Sequence, residues 1–285
     1  MQPMEIRPEC YGCLERLVDL TVGLATSDPA LQEEARRAAL DIIREESGAG
    51  AAIPAMIANR FHLVIQEFTG NPDPFAGRKA AETAYLAGMQ ERLASTYGED
   101  LVSLLKLAAV GNAIDFFRPE DEVTRELLGQ VDFGVSDLPR FRERLAGARG
   151  PILYLADNAG EQFFDRPLVT ALRRWGWQVY YVVKGGPIQN DLTREDLEAS
   201  GLGPAMEPVV DTGSRTVGLA LAGASPEFRE LYREARLILA KGMGHFETLS
   251  HSRDERLFFL LQAKCEPVAR ALGVVRRAFV FKRAV

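Results

Sequence analysis

Along the first half of the chain, apolar side chains recur with the spacing of one helix face. Behind Cys10 and Cys13, residues Leu14, Leu17, Val18, Thr21 and Ala25 follow the i, i+3, i+4, i+7 rule, which predicts an amphipathic helix. Asp28-Pro29 suits a restart, because aspartate accepts from free N–H groups and proline is tolerated in a first turn. Leu31, Ala35, Ala38, Ala39 and Ile42 form the next stripe, and Gly48 to Gly50 breaks it. Gly70-Asn71-Pro72-Asp73-Pro74 is a dense turn signal, after which a helix is expected over about 78–97. Another begins near Asp100 with Leu101, Leu104, Leu105 and Ala108, and Gly111 serves as its stop. Residues 1–147 therefore read as an almost entirely helical N-terminal region without an internal repeat.

From Gly150 the period changes. Pro151-Ile-Leu-Tyr-Leu-Ala is a short apolar run between turn residues, as a buried strand requires. Gln178-Val-Tyr-Tyr-Val-Val, Glu207-Pro-Val-Val and Arg236-Leu-Ile-Leu-Ala share that character, and Val274 to Phe281 is a candidate final strand. Helical segments near 163–175, 194–200 and 226–234 separate them. Strands alternating with helices imply crossovers and a mainly parallel sheet. The expected class is α/β, with residues 148–285 forming a three-layer α/β/α, Rossmann-like domain.

Composition narrows the function classes. Among 285 residues, 47% are hydrophobic and 26% charged, enough apolar material for a sizeable core. Lys and Arg number 34 against 40 Asp and Glu, a net charge of −6. A mildly acidic chain without a basic run carries no footprint for nucleic acid, so none is expected as a partner. No uncharged apolar stretch approaches the ~18 residues of a membrane span. Residues 1–8 lack the apolar core of a secretory signal, and three cysteines make no disulfide framework. A cytoplasmic protein is the expectation, and its oligomeric state is not encoded in any recognisable pattern.

The chemistry lies in loops that follow the expected strands, where ligands of open parallel sheets bind. These are Asp157-Asn158-Ala-Gly160-Glu161, then Lys184 to Thr193 with Asn190 and Asp191, then Asp211-Thr212-Gly213-Ser214, and last Lys241-Gly242-Met-Gly244-His245-Phe-Glu247. Asp157, Asn158 and Asp191 offer hard oxygen ligands, which suit Mg²⁺ or Mn²⁺ better than zinc. Lys241 adds a cation, and Gly213, Gly242 and Gly244 let backbone N–H groups approach an anion. Thr212, Ser214 and Glu247 complete the substrate-binding candidates. Each loop also has a purely structural reading: Asp157-Asn-Ala-Gly and Asn190-Asp191-Leu-Thr193 both match helix caps. Neither G-x-G-x-x-G nor a P-loop is present, which disfavours an NAD enzyme or a P-loop ATPase. Cys10-Tyr-Gly-Cys13 is half of a zinc motif that Cys265 extends, with reduced, buried thiols as the alternative. His62 and His251 have no motif partner and read as ordinary polar residues.

Several motifs occur together in a fixed order: Pro8-Glu-Cys10-x-x-Cys13-Leu, Gly70-Asn-Pro-Asp-Pro74, Gly111-Asn112-x-Ile114-Asp115, Asp157-Asn158-Ala-Gly160-Glu161, Asn190-Asp191-x-Thr193, Thr212-Gly213-Ser214, Lys241-Gly242-x-Gly244-x-Phe246-Glu247 and Ala263-Lys264-Cys265. In this the chain resembles the damage-control metal-dependent phosphatases (domain of unknown function 89), in the microbial branch with an N-terminal cysteine pair. The resemblance implies a divalent ion (Mg, Mn, Co or Ni) on Asp157, Asn158 and Asp191, and a phosphate contact from Lys241. It implies that Asn112 reaches the pocket from the helical region, with Asp115 a weaker candidate. It also implies small phosphorylated metabolites as substrates: sugar phosphates, damaged metabolites or phosphopantetheine derivatives. Met243 and His245 depart from the family by replacing expected amides, and Arg215-Thr216-Val217-Gly218 replaces a usual Asp-Ala-Pro-Gly.

The expected reaction is hydrolysis of a phosphate monoester, with Asp157, Lys241 and Glu161 as catalytic candidates. Water is preferred to Asp157 as the nucleophile, and Glu161 serves either proton transfer or helix capping. Two rivals stand beside it: an S-adenosylmethionine-dependent methyltransferase, and a non-catalytic sensor of sugar phosphates or nucleotides.

Overall fold

The computed structural model describes residues 2–47, 52–113 and 131–285. Thus Gly48 to Gly50, and the Ile114 and Asp115 positions of the Gly111-Asn112 motif, lie outside the described residues. The helical region contains α1 (Pro8–Ala25), α2 (Pro29–Ser47), α3 (Pro54–Thr69), α4 (Ala76–Ala94) and α5 (Leu101–Gly111). Asp100 caps α5, its carboxylate accepting from the N–H groups of Val102 and Ser103. The predicted stripes of α1 and α2 close on α3: Leu14, Val18, Val22, Ala35, Ala39, Ile42, Phe61 and Ile65 form one buried cluster.

A seven-stranded sheet follows, in the order β1-β7-β6-β5-β2-β3-β4. Its strands are β1 (Phe133–Ser136), β2 (Pro151–Leu155), β3 (Gln178–Val183), β4 (Val209–Asp211), β5 (Leu237–Lys241), β6 (Leu257–Gln262) and β7 (Phe279–Arg283). All neighbours run parallel except β6 and β7. The helices among them are α6 (Leu138–Ala146), α7 (Gln162–Arg174), α8 (Arg194–Ala199), α9 (Gly203–Met206), α10 (Pro226–Glu234), α11 (Gly242–Leu249) and α12 (Glu266–Leu272). The mixed α/β class and mainly parallel sheet match the expectation.

Side-chain alternation along the strands divides the core. Ile152, Tyr154, Leu237, Leu239, Phe258 and Leu260 bury one face of the sheet, together with Leu86 of α4, Leu105 and Ala108 of α5, and Leu168 of α7. Leu153, Leu155, Ile238, Ala240, Phe259 and Leu261 bury the other against Phe228, Phe246 and Val268 of α10, α11 and α12. The period of two places successive residues on opposite faces, so one run feeds both layers. Helices α4 and α5 therefore sit on the sheet itself, which brings the end of α5 to its loops.

Two strands escape the sequence pattern. The segment 133–146 read as helical, yet it supplies β1 at the sheet edge, followed by α6. With four residues, one of them Gly134, and alternating half-burial, β1 has no apolar run to detect. For β6, Leu-Phe-Phe-Leu-Leu-Gln is wholly buried, and so short an apolar run is ambiguous between strand and core helix. Among the described residues no helix is long and apolar enough to cross a membrane.

Candidate active site

The loops after β2 and β3 are joined through their backbones. Asn158 and Asp191 form an isolated antiparallel bridge. Ala159 N–H donates to Asn190 O at 2.9 Å, and Leu192 N–H to Asp157 O at 2.8 Å. Parallel neighbours β2 and β3 deliver these loops to the same edge, and the bridge fixes their side chains beside one another. The capping reading of Asn190-Asp191-Leu-Thr193 holds as well, since Thr193 and Asp196 cap α8 reciprocally. Asp191 is therefore positioned by the start of a helix that is itself pinned.

Three carboxylates converge there. Asn112, just past α5, donates from Nδ2 to Asp157 Oδ2 at 2.8 Å and to Glu161 Oε1 at 3.0 Å. Its Oδ1 accepts from Gln262 N–H at 3.2 Å, so the end of β6 sets the amide's orientation. Asn158 Nδ2 donates to the same two acceptors at 3.2 and 2.7 Å. Burial, followed by the charges of Glu161 and Asp191, pushes the Asp157 carboxyl well above its ordinary range. Burial also raises Asp191 to about 6, against the opposing pull of Lys184. For Glu161, burial is overcome by the Lys241 ammonium, and its pKa lies below the usual value.

Lys241 occupies a different place from the phosphate contact that the sequence suggests. Its Nζ is wholly buried, 2.8 Å from Glu161 Oε2 and 2.6 Å from Asp165 Oδ1. Asp165 also accepts the hydroxyls of Tyr154 and Tyr181, at 2.6 and 2.8 Å. This ion pair lies beneath the loops, where Lys241 keeps Glu161 ionised. Asp165 was not named from the sequence, although its i+4 spacing from Glu161 places both on one face of α7. Two further lysines bear on the carboxylates. Lys184 Nζ stands 3.3 Å from Asp191 Oδ2, and the charge of Lys264 favours the ionised forms of Asp157, Glu161 and Glu82.

The carboxylate set fits a divalent cation. Asp191 Oδ2 is buried without a well-formed hydrogen bond, and the Lys184 ammonium stands 3.3 Å away as its ion-pair partner. A cluster of buried carboxylates is costly unless cations offset it, and Lys184 and Lys241 supply part of that charge. Two carboxylates and an amide oxygen are hard ligands of the kind magnesium and manganese accept. Among the described residues no group of three or more His, Cys, Asp or Glu side chains is arranged as a metal cage. An oxygen site at Asp157, Asn158 and Asp191 would take its third ligand from an amide, whereas the second metal expected at Cys10, Cys13 and Cys265 has no ligand group among the described residues. Cys10 is buried, Cys13 exposed and Cys265 between them. Burial pushes the Cys265 thiol up to about 12.

A cleft opens between α4 and these loops, bounded by Glu82 and Leu86, by Gly111 at the end of α5, and by Asn158, Glu161 and Asn190. Glu82 was missed from the sequence, where it is one carboxylate on an amphipathic helix. Burial raises it to about 7, opposed by Arg78, whose Nε lies 3.4 Å away. Other expected contacts point elsewhere. Thr212, Gly213 and Ser214 form a self-bonded turn against Gly185, with Gly185 N–H donating to Ser214 O at 2.9 Å. Gly244 packs against Gly218 and Val217. Glu247 accepts from Ala55 N–H at 3.0 Å, facing the start of α3. Gly242 remains with the cluster, directly against the Asp157 carboxylate.

Comparisons with known proteins agree with this geometry. Residues 6–279 match the damage-control phosphatase ARMT1-like domain. The chain is 37% identical over 285 residues to a protein of Pyrococcus horikoshii named as a damage-control phosphatase, covering 98% of each. A damage-control phosphatase of Archaeoglobus fulgidus is 31% identical over 281 residues, covering 95% of this chain and 96% of the other. The crystal structure of a DUF89 family protein from Pyrococcus horikoshii superimposes with a TM-score of 0.87 at 37% identity, over 99% of this chain and 100% of that one. The carboxylate-lined edge is thus carried on a fold and sequence shared along the whole length, and the chain belongs to the damage-control phosphatase ARMT1-like family.

Proposed function

We propose that this protein is a divalent-metal-dependent phosphatase acting on phosphate monoesters of small metabolites, such as sugar phosphates or damaged and phosphopantetheine-type compounds. The observation that carries the reading is the convergence of Asp157, Asn158 and Asp191 on one sheet edge, where a buried Asp191 oxygen has no well-formed hydrogen bond. These three residues would hold the ion, with Mg, Mn, Co and Ni as candidates. When bound, it supplies Lewis-acid polarisation of the phosphoryl group.

The chain's own groups divide the remaining work. Asn112 orients Asp157 and Glu161 together, and Lys241 keeps Glu161 charged from beneath. Lys264 supplies positive potential toward the same carboxylates, where a phosphate dianion would otherwise be repelled. Of the two carboxyl groups on the cleft, Glu161 is held ionised. Glu82, near 7, is better matched to exchanging a proton at neutral pH. Water is the nucleophile in this scheme, because Asp157 Oδ2 is occupied by the amides of Asn112 and Asn158.

The test is phosphate release from an aryl phosphate and a panel of sugar phosphates, after EDTA treatment and with each metal added back. Turnover restored by metal and abolished by Asp157→Ala supports the reading. Metal-independent turnover, or full activity in Asp157→Ala, overturns it. Absence of turnover in folded protein moves the case to S-adenosylmethionine binding or to ligand sensing without catalysis.

A further inference from the structure

Three polar side chains of α3 are buried where an amphipathic helix would normally bury apolar ones: Asn59, His62 and Gln66. At i, i+3 and i+7 they share one face, and each holds a loop of the sheet edge. Asn59 pairs twice with Val217, accepting its N–H at 2.7 Å and donating to its carbonyl at 3.4 Å. Gln66 donates to Pro187 O at 3.2 Å and accepts from Arg215 at 3.3 Å. His62 Nε2 lies 2.8 Å from Gln189 Nε2.

The His62 contact has a definite polarity. Thr21 has one hydroxyl proton, and it is donated to Leu17 O at 2.7 Å. Thr21 Oγ1, 3.3 Å from His62 Nδ1, therefore accepts from that nitrogen. Burial lowers His62 to about 3, so the ring is neutral and its Nε2 is an acceptor for the Gln189 amide. Gln189 is also one of two non-glycine residues with positive φ among those described, at 45°. A side chain in that region costs of order 1–3 kcal/mol unless its surroundings enforce it. The turn it makes stands two residues before Asp191.

We infer that the Asn59–His62–Gln66 face of α3 is a clamp for the loops after β3 and β4. Within it, His62 is a positioning residue that holds Gln189 left-handed and so aims Asn190 and Asp191 at the Asp157 loop. Helix α3 then acts on the candidate metal site from behind, without contributing a ligand. Its metal readout rests on the reading given under Proposed function; its conformational readout does not.

The test compares Gln189→Ala with Gln189→Gly in the full chain. Both lose the amide, but only alanine keeps the left-handed penalty. Hydrogen exchange of segment 186–192 is followed in metal-free protein, and Mn²⁺ affinity is measured by titration. For Gln189→Ala we expect exchange about tenfold faster and Mn²⁺ binding about tenfold weaker, the scale typical of groups that orient metal ligands. Gln189→Gly should lie nearer the wild type on both. His62→Ala should match Gln189→Ala, and combining it with Gln189→Gly should restore both values toward those of Gln189→Gly alone. A merely structural histidine would lower the melting temperature without this rescue. Wild-type exchange and Mn²⁺ affinity in Gln189→Ala would overturn the inference. Should wild-type protein bind none of Mg²⁺, Mn²⁺, Co²⁺ and Ni²⁺, the metal-dependent reading fails, while the exchange ranking still decides the clamp.

Discussion

A β-carbon at residue 242 would lie 1.8 Å from Oδ2 of Asp157, so the glycine after β5 and the aspartate after β2 occupy one shared space. Gly242 also has φ +80°, a conformation that L side chains rarely adopt. Both demands fall on one residue because α11 begins immediately beneath the carboxylate. Gly242→Ala should therefore displace Asp157 and reduce phosphate release at least ~100-fold, in keeping with the cost of misplacing a reacting group. Parallel activity assays and thermal melts check this; a folded variant with wild-type turnover would contradict it.

Lys241 is enclosed by Glu161 and Asp165, and removing it leaves two carboxylates buried without their cation. Lys241→Met should cost about 3–5 kcal/mol of stability in urea unfolding, the scale for breaking a buried pair from one side. Adding Asp165→Asn should recover part of that loss, because one buried charge disappears; the amide oxygen accepts from one tyrosine hydroxyl and its NH2 donates to the oxygen of the other.

Lys79, almost fully buried, bridges Asp73 Oδ2 at 2.8 Å and Asp196 Oδ2 at 2.7 Å. It ties the Gly70–Pro74 turn to the first turn of α8, whose cap follows Asp191. Lys79→Met should destabilise the fold by about 2–3 kcal/mol, less than Lys241→Met because both partner carboxylates are partly exposed. Chemical denaturation with matched m-values checks the magnitude.

Glu247 gives a pH signature. Burial raises its carboxyl to about 7, with the Ala55 N–H opposing. In the unfolded chain it ionises near 4.5, so unfolding releases a proton between these values and wild-type stability falls from about pH 4.5 to 7. Glu247→Gln removes that loss. It should be more stable than wild type by about 1–2 kcal/mol at pH 8, discounted for partial exposure, with the difference vanishing below pH 4.5. Because Glu247 faces α3 instead of the cleft, phosphate release should be unchanged. A raised KM would return it to the substrate contacts expected from the loop motif.

Much of this protein is written locally. The 3.6-residue stripes of α1 and α2, the Asp100 cap, and the apolar runs of β2, β3 and β5 are properties of neighbouring residues, and they are legible from spacing alone. The order of polar loops after parallel strands also places Asp157, Asn158 and Asp191 at one edge, since a parallel sheet gathers its strand ends. What spacing does not carry is the direction of a side chain across the core. Lys241 and Glu82 are each one charge in a loop or a helix. Packing turns the first inward to Glu161 and Asp165, and places the second on the cleft opposite Glu161. Thr212 to Ser214 and Glu247 share the glycine-rich, polar character of site loops, yet their hydrogen bonds close on the backbone of Gly185 and Ala55. The sequence by itself determined the alternation of strands and helices and the carboxylate-bearing loops, because periodicity and turn chemistry act over a few residues. The tertiary structure alone decided which charges meet, because Asn112, Lys241 and His62 reach partners 45 to 127 residues away.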